Sequence, residues 1–199
     1  SDEGNHSVTT EVQQGKVKAV YLEKDNEENE LAEEENSEGL VGSKYTTEEK
    51  EIFGYTLDGD PENKEGNYEK EDIVVKYLYK KNEGTITPPV VVKEGPTYVT
   101  SINSIFNYTL KVQTTIEKYV GDAKLVVVDT LPYEVDRNES TIDRRCSYTG
   151  AKEITCTVEY KDIKEEDYKE GKYNIEEEFD LKLVFINIDK NKVTNEVNA

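Results

Sequence analysis

The amino-acid sequence predicts a mainly β protein that is built from two modules. Apolar residues recur at every second position in two stretches, Ile73–Tyr79 and Phe106–Val112, which is the spacing of a half-buried strand. Leu125–Val128 is instead a continuous apolar run and suits a strand that is buried on both faces. A change of composition across residues 83–89, which end in two prolines, separates the modules.

These boundaries divide the chain into four parts. Residues 1–15 form a flexible lead-in without hydrophobic periodicity, and they contain the single histidine, His6. Residues 16–82 form a first module, 83–89 a stiff linker and 90–199 a second module. The chain contains no methionine, even at position 1, so we expect a processed protein or an excised fragment.

The charge of the chain excludes several classes of partner. The 199 residues carry a net charge of −19. Residues 1–87 hold 23 acidic residues against 10 lysines, a net charge of −13, and the remainder has −6. Such a chain repels nucleic-acid phosphates and anionic lipids. No apolar run is long enough to cross a membrane, so we expect neither nucleic-acid binding nor membrane insertion.

The sequence contains no convincing catalytic, cofactor or metal set. One histidine and two cysteines are too few ligands for a zinc site. The acidic run Glu23–Glu38 does not have the spacing of a calcium loop. Asp58 and Asp60 lie in a Gly/Pro turn that implies no cleft. We therefore expect a protein that is not an enzyme and has no cofactor.

The first module begins with strand spacing at Val17, Ala19 and Tyr21. The acidic run that follows is predicted to be a solvated loop or hairpin tip. Thr46 with Glu49 has the spacing of a capping box, which predicts a short helix over Glu48–Ile52. A strand at Tyr55–Leu57 and the strand Ile73–Tyr79 close the module.

Four segments of this module have a recognisable order and spacing: VKAVYLEKD, GLVGSKYTTE, IFGYTLDGD and IVVKYLYKK. Over Lys16–Lys81 they resemble the MucBP family, the mucin-binding-type repeats of Gram-positive surface proteins. The resemblance implies a β-grasp-like α+β fold, display outside the cell and a mucin or other host glycoprotein as partner. A charged insertion around Asn26–Glu38 departs from the family pattern.

The second module is predicted to be an immunoglobulin-like sandwich, because short strands follow one another without helical periodicity. Its organising strand is Lys124–Tyr133, and Leu181, Leu183 and Phe185 share one face of a later strand. Cys146 and Cys156 flank a plausible hairpin turn at Thr149–Lys152. They form either a cross-hairpin disulfide, which would suit an extracellular protein, or two free thiols.

The segments FNYTLKV, LVVVDTLPYEVD, EITCTVEY and VTNEV resemble the Ig-like domains of Gram-positive pilins and adhesins, including those that form an intramolecular isopeptide bond. In that family a lysine on an early strand, an acid on a middle strand and an asparagine on the last strand react. Lys93, Asp129 and Asn195 fit this order, with Asp129 assisting. Lys111 is a weaker alternative nucleophile, because its strand face is polar. Structural roles for all of these residues remain the competing interpretation.

The sequence therefore favours a non-catalytic fragment of a bacterial cell-surface protein, attached to the cell wall through regions outside the fragment. Its role would be that of an adhesin or a stalk, with neighbouring domains of the same protein as further partners. One alternative is a spacer without a ligand. Another is an accessory binding module of a secreted carbohydrate-active enzyme.

Overall fold

A computed structural model describes Gly4, residues 11–188 and residues 196–198. The chain divides into two compact units, Ser1–Asn82 and Glu83–Ala199. Most of the predicted lead-in, including His6, lies outside the described residues, and so does Asn195. Strands dominate the described part, in which the one helical element is a single 3-10 turn at Glu165–Asp167. None of its helical structure is long and apolar enough to span a bilayer.

The described part of the first unit contains six strands. They are β1 (Gln14–Glu23), β2 (Asn26–Leu40), β3 (Lys44–Thr46), β4 (Tyr55–Leu57), β5 (Glu65–Asn67) and β6 (Ile73–Lys81). Four of them form one sheet in the order β2-β1-β6-β4, with a parallel central pair and antiparallel neighbours, and β3 pairs with β5. A central parallel pair made by the first and last strands is the arrangement expected of a β-grasp-like sheet.

The core of the first unit confirms the predicted strand faces. Six residues of the predicted faces are at most 1% exposed, and Ile73, at the start of the second face, is partly buried. The six are Val17, Ala19, Tyr21, Val75, Tyr77 and Tyr79. The rings of Tyr21 and Tyr77 are stacked with their centres 5.3 Å apart. Tyrosines fill this small core because each buries a large apolar ring and still has a hydroxyl that can reach a polar partner.

The acidic segment is mostly a strand, so its prediction as a loop is wrong. Glu23 pairs with Asn26 across a tight turn, and β2 then runs for 15 residues beside β1. The alternation that marks a strand is absent because β2 is an edge strand on which almost every side chain is exposed. Charged side chains on an edge strand disfavour pairing with another chain.

The predicted helix over Glu48–Ile52 is also wrong, because this segment is irregular. Its backbone is held by tyrosine hydroxyls from the sheet. Tyr21 Oη donates to the Glu48 carbonyl at 2.7 Å. Tyr79 Oη accepts from the Lys50 amide at 3.1 Å and donates to the Lys50 carbonyl at 2.7 Å. These bonds replace the helical hydrogen bonds that the capping box predicted.

Replacing Tyr79 by phenylalanine is expected to destabilise the first unit by about 1–3 kcal/mol, because it leaves two backbone groups of Lys50 without their partner. Urea unfolding measures the loss, and hydrogen exchange at the Lys50 amide should become faster. Tyr55→Phe, on the half-buried strand β4, is the control. If the Lys50 amide exchanged at the same rate in Tyr79→Phe and in the wild type, the Tyr79 hydroxyl would not be what holds the Lys50 backbone in place.

The second unit is a β-sandwich. Its strands are β7 (Thr85–Ile86), β8 (Val90–Glu94), β9 (Ile105–Glu117), β10 (Gly121–Thr130), β11 (Thr141–Ile142), β12 (Cys146–Gly150), β13 (Glu153–Ile163), β14 (Tyr173–Val184) and β15 (Glu196–Asn198). One sheet has the order β12-β13-β10-β15 and the other β11-β14-β9-β7, with β8 also paired to β9. The predicted inward face of β9 is buried, and its most exposed residue is Phe106 at 9%. The face consists of Phe106, Tyr108, Leu110 and Val112.

The organising strand β10 is present, but it is not buried on both faces as predicted. Leu125 and Val127 are buried, whereas Val126 is 39% exposed. The inner face of β10 packs into the sandwich core, and the outer face is left to solvent, as is common in antiparallel sheets. The run Leu125–Val128 was predicted to be buried on both faces because all of its residues are branched and apolar. Such residues also occur on the exposed face of a strand, so the run does not show that both faces are buried.

Part of the predicted linker belongs to the second unit. Thr85 and Ile86 form β7 and pair with Glu117 and Ile116 of β9. The side chain of Thr114 donates a hydrogen bond to the Thr87 carbonyl. The chain therefore joins the sandwich before the two prolines.

Candidate functional site

Two residues singled out from the sequence, Lys93 and Asp129, meet between the two sheets of the second unit. Lys93 lies on β8 of one sheet, and Asp129 lies on β10 of the other. Lys93 Nζ donates to the Asp129 carboxylate oxygens at 3.0 and 2.7 Å. It also lies 4.5 Å from the centre of the Tyr108 ring. The Lys93 side chain is 9% exposed and the Asp129 side chain is fully buried.

Burial sets the chemistry of this pair. It lowers the pKa of the Lys93 amine, and the attraction of Asp129 opposes that shift. It raises the pKa of the Asp129 carboxyl, and Lys93 opposes that shift. Both shifts favour the form in which the proton has moved from the amine to the carboxyl. A neutral amine is a nucleophile, and a protonated carboxyl can polarise a nearby carbonyl group.

The third predicted residue, Asn195, lies outside the described residues, so the covalent link stays a prediction. The described part of the last strand does approach both members of the pair. Val197 of β15 lies directly opposite Asp129, and β15 also comes close to β8.

Lys111, the alternative nucleophile, has different surroundings. Its Nζ lies 3.2 Å from Glu94 and 3.8 Å from Glu178, and its side chain is 42% exposed. The hydrogen bond that Lys111 donates to Glu94 and the negative charges of Glu94 and Glu178 raise the pKa of Lys111. Its amine therefore stays protonated and solvated, which favours Lys93 as the reactive lysine.

Cys146 and Cys156 form a disulfide in this structure. They lie directly opposite each other on β12 and β13, and Gly150 pairs with Glu153 at the turn. Cys156 is fully buried in the sandwich core. The register shifts by one residue between Tyr148 and Gly150, so the two sides of the turn differ by one residue and are not equal as the sequence predicted, but the two cysteines still lie opposite each other.

An ionic cluster around Arg145 was missed by the sequence analysis. Its Nε lies 3.0 Å from Asp143, and its Nη1 lies 2.8 Å from Glu177. The guanidinium also lies 4.4 Å from the centre of the Phe179 ring. The hydrogen bonds from Arg145 lower the pKa of Asp143. The cluster links β14 to the segment before β12. In the sequence, the one signal for it was the close spacing of the oppositely charged Asp143 and Arg145.

A polar cleft of about 380 Å³ lies in the first unit. Its floor is Ala19 and Tyr21, and one wall comes from residues 35–37 of β2. The other wall consists of Thr46 at the end of β3 and the irregular segment 47–50. Neither this cleft nor any other described region holds a group of three acidic, histidine or cysteine side chains arranged to bind a metal ion.

Comparison with known proteins gives one family match and two curated relatives. The MucBP domain model matches residues 16–80 and residues 72–136. The first range covers β2 to β5 completely and nearly all of β1 and β6, and it confirms the resemblance over Lys16–Lys81. The second range begins just before β6 and continues beyond β10, so it crosses the boundary between the two units.

Both relatives are named Internalin J and come from Listeria monocytogenes. The protein of serotype 4b (strain F2365) is 35% identical over 79 residues, which cover 40% of this chain and 8% of the relative. The protein of serovar 1/2a (strain ATCC BAA-679 / EGD-e) is 30% identical over 120 residues, which cover 52% of this chain and 14% of the relative. The chain thus corresponds to a small part of these curated relatives.

Proposed function

Because the chain belongs to the MucBP domain family, we propose that it is a non-catalytic adhesion module that binds glycans of mucins or other host glycoproteins. The family and the similarity to two internalins indicate a surface or extracellular protein. The family match is the observation that carries the proposal. Attachment to the cell wall through regions outside this chain is part of it.

The proposal predicts that the chain binds immobilised mucin and that binding is lost when the mucin glycans are removed chemically. The expected reason is that sugar hydroxyls supply the hydrogen-bond donors and acceptors for which polar protein sites are suited. Surface plasmon resonance measures both forms of the mucin. Equal binding to intact and deglycosylated mucin would contradict glycan recognition. No binding to either would favour the spacer function.

A second part of the proposal is structural and concerns the second unit. Lys93 Nζ would attack the side-chain carbonyl carbon of Asn195 and form an amide bond. The Asn195 nitrogen would leave as ammonia, and Asp129 would carry the proton from the amine to the leaving group. The buried Lys93–Asp129 pair supports this reaction. The bond would tie the strand that carries Lys93 to the last strand, which suits a stalk.

The accessory-module alternative has the same binding chemistry but a different setting. It requires a catalytic domain elsewhere in the same polypeptide. The sequence of the whole protein distinguishes the two, because a surface protein would carry a wall-anchoring signal and an enzyme would carry its catalytic domain.

A further inference from the structure

We propose that the polar cleft of the first unit is the glycan site and that it selects neutral sugars over sialylated or sulfated ones. This inference rests on the proposed glycan binding and adds its place and its ligand class. The cleft volume of about 380 Å³ is within the range of small-ligand sites, so it suits a mono- or disaccharide unit of a larger glycan.

The wall from β2 presents alternate side chains to the cleft. Glu35 lies opposite Ala19, and Ser37 lies opposite Val17. Residues that are directly opposite in an antiparallel pair share a face of the sheet. Glu35 and Ser37 therefore lie on the same face as the buried core of β1. Glu34 lies on the other face, where Lys18 Nζ is 3.8 Å from its carboxylate.

The opposite wall is held in place before any ligand arrives. The carbonyl of Glu48 accepts from Tyr21, and both backbone groups of Lys50 bond to Tyr79. The Thr47 hydroxyl lies 2.7 Å from the Tyr77 hydroxyl and donates to the Lys64 carbonyl. A wall fixed by buried tyrosines loses little conformational freedom when a ligand binds, which favours affinity.

The polar groups of the cleft fit sugar hydroxyls. The carboxylates of Glu35, Glu48 and Glu49 are acceptors. The Ser37 hydroxyl accepts from Tyr68 and can still donate, whereas the Thr47 hydroxyl already donates to the Lys64 carbonyl and can only accept. Hydrogen bonds to a carboxylate are stronger than those between neutral groups. Adjacent hydroxyls of a sugar ring can supply the donors that such a wall requires.

The charge of the cleft sets the selectivity. Three carboxylates and the single cation Lys50 line it, which gives a net charge of −2. Lys50 Nζ is already engaged, at 2.7 Å from Glu35 and 2.8 Å from the Glu33 carbonyl, and it lies over the Tyr21 ring. An anionic sugar would meet like charges without an available cation, and such repulsion opposes binding.

The test is a calorimetric titration of the whole chain with N-acetyllactosamine and with its sialylated form. We expect the neutral sugar to bind at least about tenfold more tightly, which corresponds to about 1.4 kcal/mol. Glu35→Ala and Glu48→Ala should each weaken that binding severalfold. Glu34→Ala is the matched control, because it removes the same group from the opposite face of β2 and should bind as wild type does.

Each outcome bears on a different claim. If a neutral sugar binds but the Glu35 and Glu48 variants bind it as wild type does, the cleft is not the site, although glycan binding stands. If the sialylated sugar binds equally or better, the ligand class is wrong. If the chain binds mucin but neither sugar, the inference fails and the proposed function survives. If neither mucin nor either sugar binds, both fail together.

Discussion

The variant Asp129→Ala is expected to lower the free energy of unfolding of the second unit by about 3–5 kcal/mol. The substitution leaves the Lys93 amine between the two sheets without the hydrogen-bond partner that Asp129 provides. It also removes the proposed assisting acid. Intact mass should therefore change in an informative way: the wild type should lie one ammonia below its sequence mass, and the variant should show its full mass. Mass spectrometry under reducing conditions and denaturant unfolding measure the two effects.

The control is Glu94→Ala on the same strand as Lys93. Glu94 pairs with Lys111 on the exposed side of the sheet, and exposed pairs contribute only about 0–1 kcal/mol. If the wild type shows its full sequence mass after reduction, the crosslink is absent. If Asp129→Ala also unfolds as Glu94→Ala does, the buried pair does not stabilise the sandwich either.

Removing the disulfide with the double variant Cys146→Ala/Cys156→Ala is expected to destabilise the second unit by about 2–3 kcal/mol in the chain-entropy model. The cysteines are 10 residues apart in the sequence, so their bond closes a short loop of the unfolded chain. Denaturant unfolding of the variant and of the wild type measures the difference. Part of it will come from lost packing, because Cys156 is fully buried.

Reduction of the wild type separates the covalent contribution from the packing contribution, because it breaks the bond and keeps both sulfur atoms. We expect the reduced protein to lie between the wild type and the double variant in stability. Two free thiols in the unfolded, unreduced protein would mean that the bond does not form in solution.

The strand faces could be predicted from the sequence because burial imposes a period of two. Val17 and Ala19 alternate with the exposed Lys16 and Lys18 at the start of β1, and the predicted face of Val17, Ala19 and Tyr21 is buried. The other face is also buried at Val20 and Leu22. The same reasoning, combined with family resemblance, selected Lys93 and Asp129, which share a face with apolar neighbours on their own strands. Their meeting across the sandwich follows from that shared inward direction.

Other features could not be predicted because their cause is tertiary. The edge strand β2 has no buried face, so its sequence shows no alternation of apolar and polar residues. The capping-box residues Thr46 and Glu49 gave a valid local signal for a helix, but hydroxyls from β6, 29 or 30 residues away in sequence, hold that segment in another conformation. Since the polar cleft depends on both elements, it could not be found before the fold was known.

The parallel pairing of β1 with β6 has a mechanical consequence. Because the strands run in the same direction, the start of β1 and the end of β6 lie at opposite ends of the pair. Tension applied at Gln14 and Lys81 would make the two strands slide along each other. The register of paired residues, from Val17–Ile73 to Glu23–Tyr79, would then be strained at the same time. A hairpin opened from one end breaks its bonds in succession and yields at a lower force. The first unit, which has no covalent bond between strands in its described part, would thus withstand stretching through strand direction alone.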